Sequence, residues 1–174
     1  YDAVQPSSID VHLGKDLLRQ NIGRRNHGMT PATDPKKDSS GDWYAQEINE
    51  LWGTPLQTDA FALGCTIESL SLPAGIAARF EGKSSLGRIG LLTHVTAGFI
   101  DPGFKGQVTV ELKNVSVKAI TLYPGMKIGQ ICFYYLAEPA ENPYGSEATG
   151  SHYQGQTGPQ VSRIHENFIQ RPVM

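Results

Sequence analysis

Short apolar and alternating runs, rich in β-branched residues, dominate the chain beyond Gly53. LPAG, DPGFKG and YPGMK separate several of these runs, and each carries the proline and glycine of a tight turn. Many short strands at such spacing predict a mainly β fold, either an antiparallel sandwich, a barrel or a jelly roll. The predicted strands cover residues 60–72, 76–80, 89–93, 107–112, 119–122 and 127–136.

The pattern is weaker before Gly53. VQPSSIDVHLG (4–14) predicts a turn and then a short strand, because apolar and polar residues alternate from position 9 to 13. Residues 15–42 are polar and carry scattered basic side chains, so we predict a long exposed excursion. WYAQEINELW (43–52) fits a short helix and an extended segment equally well.

From residue 138 onward the chain is rich in glycine, tyrosine and glutamine, and its apolar residues follow neither a helical nor a strand periodicity. This composition predicts that residues 138–174 do not fold on themselves. Two interpretations stay open: a loose carboxyl end, or a flexible flap that closes on a ligand and supplies aromatic and amide contacts. We therefore predict a single domain, residues 1–174, with a flexible carboxyl-terminal tail.

Composition narrows the classes of function. The 174 residues are 39% hydrophobic, which suffices for one core. A net charge of -2 and a pI of about 6.2 argue against a general binder of nucleic acid or membrane surfaces. The two cysteines lie in apolar runs, and no signal peptide or bilayer-spanning run is present, so we expect a cytoplasmic protein. The chain begins at Tyr1, and we expect a preceding segment.

Most of the candidate functional side chains lie in one stretch, EGKSSLGRIGLLTHVTAGFIDPGFKGQVTVE (81–111). GKS suggests a P-loop, but Ala77 stands where that motif needs glycine, and the strand-like sequence after it predicts no helix. A weaker anion site remains, in which small residues turn backbone N–H groups toward a ligand. Lys83, Ser84, Ser85 and Arg88 would supply charge and hydrogen bonds there, although an exposed charged turn explains them equally well.

Two acids in this stretch are candidates for proton transfer. Glu111 lies on the other face of its predicted strand from Val110 and Leu112, so it faces either solvent or a pocket. In a pocket, burial would raise the pKa of the carboxyl toward neutrality, and the group could then transfer protons. Asp101 opens a DPG turn and is either a turn former or a carboxylate fixed beside a ligand. His94 lacks a nucleophile elbow nearby, which favours a hydrogen-bonded structural role. HxE and PCxxC, the zinc deaminase motifs, are absent from the sequence.

QPSSIDVHLG, GKSSLGRIGLL, HVTAGFIDPGFKGQVTVE, YPGMKIGQI, NPYG and HYQGQTG follow one another along the chain. Together they resemble the dCTP deaminase family, a branch of the trimeric dUTPase-like superfamily. The resemblance implies a distorted jelly roll that assembles as a homotrimer with active sites shared between subunits. Plain dUTPases usually have an apolar residue in place of Glu111 and lack Arg88, so deamination is the implied chemistry.

The resemblance also implies roles for residues. Glu111 would take a proton from a water near the Ser84 hydroxyl and the Ala97 carbonyl, and the resulting hydroxide would attack C4 of cytosine. Glu111 would then return the proton to the departing ammonia. Arg88 would position the carboxylate and balance its charge. Mg²⁺ would be held mainly by the substrate triphosphate, with no zinc. The implied substrate contacts are Lys83, Ser84, Ser85, Leu86, Gly87, Arg88, Asp101, Thr109, Val110, Glu111, Gln130, Tyr144, His152 and Gln156.

Gly98 and Phe99 resemble the bifunctional branch of the family, which forms dUMP. In that branch a second water attacks the α-phosphorus, pyrophosphate leaves, and Asp101 is the implied carboxylate. His152 replaces the usual lysine, which implies a weaker or pH-dependent phosphate contact. The alternatives are deamination to dUTP only, a dUTPase-like pyrophosphatase, and a jelly-roll module that binds a deoxynucleotide without catalysis.

Overall fold

A computed structural model of the chain describes residues 2–21 and 32–169. Over these residues the chain is mainly β, as predicted, and no helix in them is long and apolar enough to cross a membrane. Single 3₁₀ turns lie at Ser40–Asp42, Glu147–Thr149 and Ile164–Phe168. The regular elements are β1 (Ile9–His12), β2 (Asp16–Gln20), β3 (Trp43–Glu47), β4 (Thr54–Leu56), β5 (Phe61–Ser71), β6 (Ile76–Gly82), α1 (Ser84–Arg88), β7 (Leu91–Leu92), β8 (Phe99–Ile100), β9 (Lys105–Asn114), β10 (Ile120–Leu122) and β11 (Lys127–Tyr135).

The strands form three antiparallel sheets. One sheet has the order β1-β11-β6-β8, a second has the order β3-β2-β5-β9-β7, and β10 pairs with β4. Apolar side chains from these sheets share one core, in which Leu13, Leu112 and Ile128 are completely shielded from solvent. Burying each such side chain contributes about 1.5–3 kcal/mol. This core fixes the positions of β9 and its neighbours, which carry the site described below.

Strand β9 shows how alternation places chemistry at a surface. Val110 and Leu112 are buried in the core, whereas Thr109 and Glu111 point to the opposite face. In the β5–β9 ladder Glu111 lies opposite Leu63. The core-facing residues therefore hold the strand in register, and the register decides which polar side chains share a face.

The predicted excursion over residues 15–42 is wrong at its start. Residues 16–20 form β2, which pairs with β3 and β5, and Leu17 is completely buried. The sequence signal was weak because only two apolar residues occur in this strand. Residues 32–42 are mostly exposed, as predicted, and residues 22–31 lie outside the described residues. The ambiguous segment 43–52 begins as a strand, β3.

The prediction that no helix follows GKS is also wrong. Ser84–Arg88 form one helical turn, closed by the N–H groups of Leu86 and Gly87 on the Lys83 carbonyl. The expected strand 89–93 is reduced to β7, because the chain reverses at Gly90, where φ is +88° and a Cβ would lie 2.7 Å from Ser116. The P-loop is still rejected, since Ala77 occupies the required glycine position.

Candidate active site

A cavity of about 480 Å³ opens beside β9, on the face that carries Thr109 and Glu111. The loop around β8 forms one wall and the carboxyl-terminal segment forms another. Aromatic and aliphatic side chains from β3, β5 and β6 provide an apolar surface. The lining residues that are not among the implied substrate contacts include Trp43, Phe61, Leu63, Phe80, Phe104, Tyr153, Gln160 and Ser162.

Glu111 is half-buried at this cavity rather than facing open solvent. Its Oε2 accepts a hydrogen bond of 2.8 Å from the backbone N–H of Val95. That contact fixes one carboxylate oxygen and orients the side chain. Ala97, whose carbonyl was expected to help hold a water, lines the same cavity. The carboxylate is therefore placed where it can exchange a proton with a bound molecule.

His94 lines the cavity as well, which the predicted structural role did not include. Its Nε2 lies 3.9 Å from Glu81 Oε2, and its ring meets the edge of Phe80 with the centroids 5.9 Å apart. Its Nδ1 is buried and has no hydrogen-bond partner among the described residues. The imidazole is thus held against Phe80 in the wall of the cavity.

Asp101 reaches the cavity from the DPG turn after β8. Gly103 in this turn has φ +90°, and a Cβ there would lie 2.7 Å from Pro143. The turn can therefore pack directly on the NPYG segment, where the Tyr144 N–H donates to the Pro102 carbonyl at 2.7 Å. Close packing of these two loops brings Asp101 and Tyr144 to one site.

Tyr144 joins the tail to the site. Its ring packs edge-on against Phe104, with centroids 5.7 Å apart, and its hydroxyl accepts a 3.0 Å hydrogen bond from the Tyr153 N–H. Burial raises the pKa of the Tyr144 hydroxyl, which therefore stays neutral at physiological pH. A neutral phenol in this position can accept from the tail and can donate to a ligand.

Of the two interpretations of the tail, the loose carboxyl end is wrong for its described part, which packs against β9. Gln156 exchanges hydrogen bonds with the backbone of Gln107: its carbonyl accepts at 3.0 Å, and its side-chain amide donates to the Gln107 carbonyl at 2.6 Å. Further along, the Gln160 N–H donates to Thr109 Oγ1 at 3.2 Å. The tail therefore lies along β9 and closes one side of the cavity.

His152 is engaged within the tail. Its Nδ1 lies 2.7 Å from Glu166 Oε2, and its Nε2 lies 2.8 Å from Asn167 Oδ1. The side chain borders a neighbouring hollow of about 530 Å³ that also touches Asp101 and Tyr144. In this arrangement the imidazole is occupied by protein acceptors, so a phosphate contact would require Glu166 to move.

The predicted anion site lies elsewhere on the chain. Ser84, Ser85, Gly87 and Arg88 are exposed on and around α1, and Lys83 Nζ contacts Asp10 Oδ1 at 2.5 Å. None of the residues from 83 to 88 lines the cavity. Asp10 was not predicted as part of any site, because a lone acid in an alternating strand normally faces solvent.

The structure thus divides the predicted site residues into two groups. The residues that it brings together at the cavity are Ala97, Gly98, Phe99, Asp101, Thr109, Glu111, Tyr144 and Gln156. Val110 is buried in the core, so only its backbone is available to a ligand. The predicted site residues that lie outside the cavity lining are Lys83, Ser84, Ser85, Leu86, Gly87, Arg88, Val110, Gln130 and His152.

Comparisons with known proteins identify the family of the chain. Residues 1–136 match the family described as dCTP deaminase-like (DCD). The chain is 53% identical over 169 residues to a protein of Bifidobacterium longum named dCTP deaminase, dUMP-forming, and covers 84% of that protein. It is 54% identical over 168 residues to a protein of the same name from Mycolicibacterium smegmatis and covers 85% of it. These alignments take in 96% and 95% of this chain.

A solved structure supports the same fold. The 2'-deoxycytidine 5'-triphosphate deaminase from Agrobacterium tumefaciens superimposes with a TM-score of 0.61 at 26% identity. The match covers 78% of this chain and 41% of that chain.

Proposed function

The chain belongs to the dCTP deaminase-like family, and on that basis we propose that it deaminates dCTP and forms dUMP at the cavity beside β9. The observation that carries this proposal is the position of Glu111, a half-buried carboxylate fixed by the Val95 N–H among Ala97, Asp101 and Thr109. An apolar residue at position 111 would leave the cavity able to bind a base but without the carboxylate that we propose moves protons at C4.

In the deamination step Glu111 takes a proton from a water held near the Ala97 carbonyl. The resulting hydroxide adds to C4 of cytosine, and the same carboxyl returns the proton to the C4 amino group, which leaves as ammonia. Arg88 and the Ser84 hydroxyl then stabilise the charge that develops in the tetrahedral intermediate. Oriented donors of this kind are worth several kcal/mol when they are held in place before the reaction.

We propose that a homotrimer completes each site. Among the described residues, those that line the cavity include no lysine or arginine, whereas a triphosphate needs cations around it. Lys83 and Arg88 lie outside that lining, so a neighbouring subunit would present them to the nucleotide. Exposed aromatic side chains at the end of β11, Tyr134 and Tyr135, offer apolar surface for such contacts.

Mg²⁺ would reach the site with the nucleotide. Among residues 2–21 and 32–169 no three His, Cys, Asp or Glu side chains come together as candidate metal ligands. Mg²⁺ keeps several of its waters and binds phosphate oxygens, so it does not need a cluster of protein ligands. Bound there, Mg²⁺ would neutralise triphosphate charge, while Lys83, Ser85 and Arg88 orient the phosphates. We place the reaction in the cytoplasm, where Cys65 and Cys132, both free thiols, would stay reduced.

The second step would release pyrophosphate. Asp101 would take a proton from a second water, whose oxygen attacks the α-phosphorus as the bond to pyrophosphate breaks. Gly98 holds the loop that leads to Asp101 against β6, because a Cβ there would lie 2.5 Å from the Phe80 carbonyl oxygen, and the Gly98 carbonyl accepts from the Phe80 N–H at 2.7 Å. This loop needs glycine at position 98, and the resemblance to the dUMP-forming branch depends on that residue and Phe99.

Purified protein with dCTP and Mg²⁺ is expected to release dUMP, ammonia and pyrophosphate in equal amounts. Anion-exchange chromatography and an ammonia assay on the same samples measure all three. dUTP as the sole nucleotide product would reject the second step and leave the deaminase in place. dUTP hydrolysis without dCTP turnover would favour a dUTPase-like pyrophosphatase. Binding without any product would favour a regulatory module.

A further inference from the structure

The QPSSID segment, residues 5–10, has no role in the chemistry described so far. It precedes and opens β1, which pairs with β11 so that Asp10 lies opposite Gln130. Its polar side chains contact two residues of the proposed nucleotide site. Asp10 bonds Lys83, and the Ser8 hydroxyl donates a 3.1 Å hydrogen bond to Gln130 Oε1.

Asp10 is a buried carboxylate with every oxygen engaged. It is 2% exposed, and Oδ1 accepts from Lys83 Nζ at 2.5 Å. Its Oδ2 lies 3.3 Å from Lys127 Nζ and 3.3 Å from Gln5 Nε2. The Lys83 hydrogen bond lowers the pKa of Asp10, with a further contribution from Lys127. The carboxylate therefore stays charged at neutral pH despite its burial.

The contact between Lys83 and Asp10 restricts a flexible cation. A lysine side chain loses up to about 2 kcal/mol of rotamer entropy when its position is fixed. Asp10 imposes that restriction before substrate arrives, so the nucleotide does not have to. Asp10 also lies between two ammonium groups, and without it Lys83 and Lys127 would repel each other.

We propose that the QPSSID segment is a positioning layer for the nucleotide: Asp10 fixes the ammonium group of Lys83, and Ser8 fixes the amide of Gln130. Neither Asp10 nor Ser8 touches the substrate. Each acts through a side chain that does. This inference rests on the proposed function, since it assigns the residues that preorganise its phosphate and nucleotide contacts.

The test is a double-mutant cycle on dCTP turnover. Asp10→Asn keeps the shape of the side chain and removes its charge, and Lys83→Met removes the cation. Each single variant is expected to raise KM for dCTP on the order of tenfold, with kcat within about twofold. The double variant is expected to be no worse than Lys83→Met alone, because Asp10 acts only through Lys83.

Glu47→Gln is the matched control, because it removes the acid of another close lysine pair, Lys15–Glu47 at 2.6 Å, on an exposed surface. It should leave KM unchanged. Independent, multiplying effects of Asp10→Asn and Lys83→Met would overturn the proposal, as would an unchanged or lowered KM in Asp10→Asn. A loss in Asp10→Asn that excess Mg²⁺ repairs would make Asp10 a metal ligand instead and would also overturn it.

Ser8→Ala tests the same layer without disturbing a buried charge, so it decides the matter if Asp10→Asn fails to fold. It should raise KM about threefold and should add nothing in a Gln130→Ala background. An unchanged KM in Ser8→Ala would contradict the proposal. Wild-type protein that does not turn over dCTP would instead reject the proposed function, so the two failures are distinguishable.

Discussion

Glu111→Gln is expected to lower the rate of ammonia release from dCTP by about 10³-fold, within the range that general acid–base groups supply. Glutamine has nearly the same shape and can still accept the 2.8 Å hydrogen bond from the Val95 N–H, so the fold and the cavity should persist. An amide cannot take a proton from water or return one to ammonia. The loss should therefore appear in kcat, with little change in nucleotide affinity.

Two control measurements show whether the lost rate comes from catalysis rather than from binding or folding. The affinity of Glu111→Gln for dCTP, measured by isothermal titration calorimetry with Mg²⁺, should stay within a few-fold of the wild-type value. Its midpoint of thermal unfolding should change little, because the side chain is only half-buried and Val110 and Leu112 hold β9 in the core. A variant that keeps a tenth or more of the wild-type rate would show that another group carries the proton.

Co-assembly of Glu111→Gln with Arg88→Ala should restore activity that neither variant has alone. If each site takes Glu111 from one subunit and Arg88 from the next, random mixed trimers contain wild-type pairs at about one quarter of their sites. Two nearly inactive proteins, co-expressed under different affinity tags, should then show about one quarter of wild-type turnover. The reason is geometric, since Arg88 does not line the cavity that holds Glu111.

The matched control is the double variant Glu111→Gln, Arg88→Ala, co-assembled with wild-type subunits. Shared sites predict about one quarter of wild-type turnover in an equal mixture, whereas sites contained within one chain predict about one half. No recovery in the first mixture, together with one half in the second, would show that each chain carries a complete site. Analytical ultracentrifugation of both mixtures would report the oligomer.

Strands β5, β6, β9, β10 and β11 could be predicted because apolar residues alternate or cluster in each of them, and the common core preserves that pattern. The short strands β4 and β8 carry too few residues to show it. Strand β2 could not be predicted, since its sequence, DLLRQ, has two apolar residues and gains its place from pairing with β3 and β5. The sequence could not decide between the two interpretations of the tail for a related reason: the hydrogen bonds of the tail go to the backbone of Gln107 and to Thr109, far away in sequence.

Eight of the predicted site residues line the cavity, but the geometry of the cavity could not be predicted. The alternation of apolar and polar residues puts Glu111 on the other face of the strand from Val110. It does not show whether that face meets solvent or a pocket, because the residues that build the pocket, Trp43, Phe61 and Tyr153, come from distant segments. Asp10 shows the same limit. A single acid in an alternating strand indicates an exposed position, and only the fold shows that two lysines meet it there.

The most direct test is a crystal structure of Glu111→Gln with dCTP and Mg²⁺. We predict cytosine in the cavity beside β9, with a water about 3 Å from both C4 and the residue 111 side chain. The triphosphate should lie on Lys83 and Arg88 of a neighbouring subunit. Cytosine bound outside this cavity, or with C4 turned away from residue 111, would contradict the account.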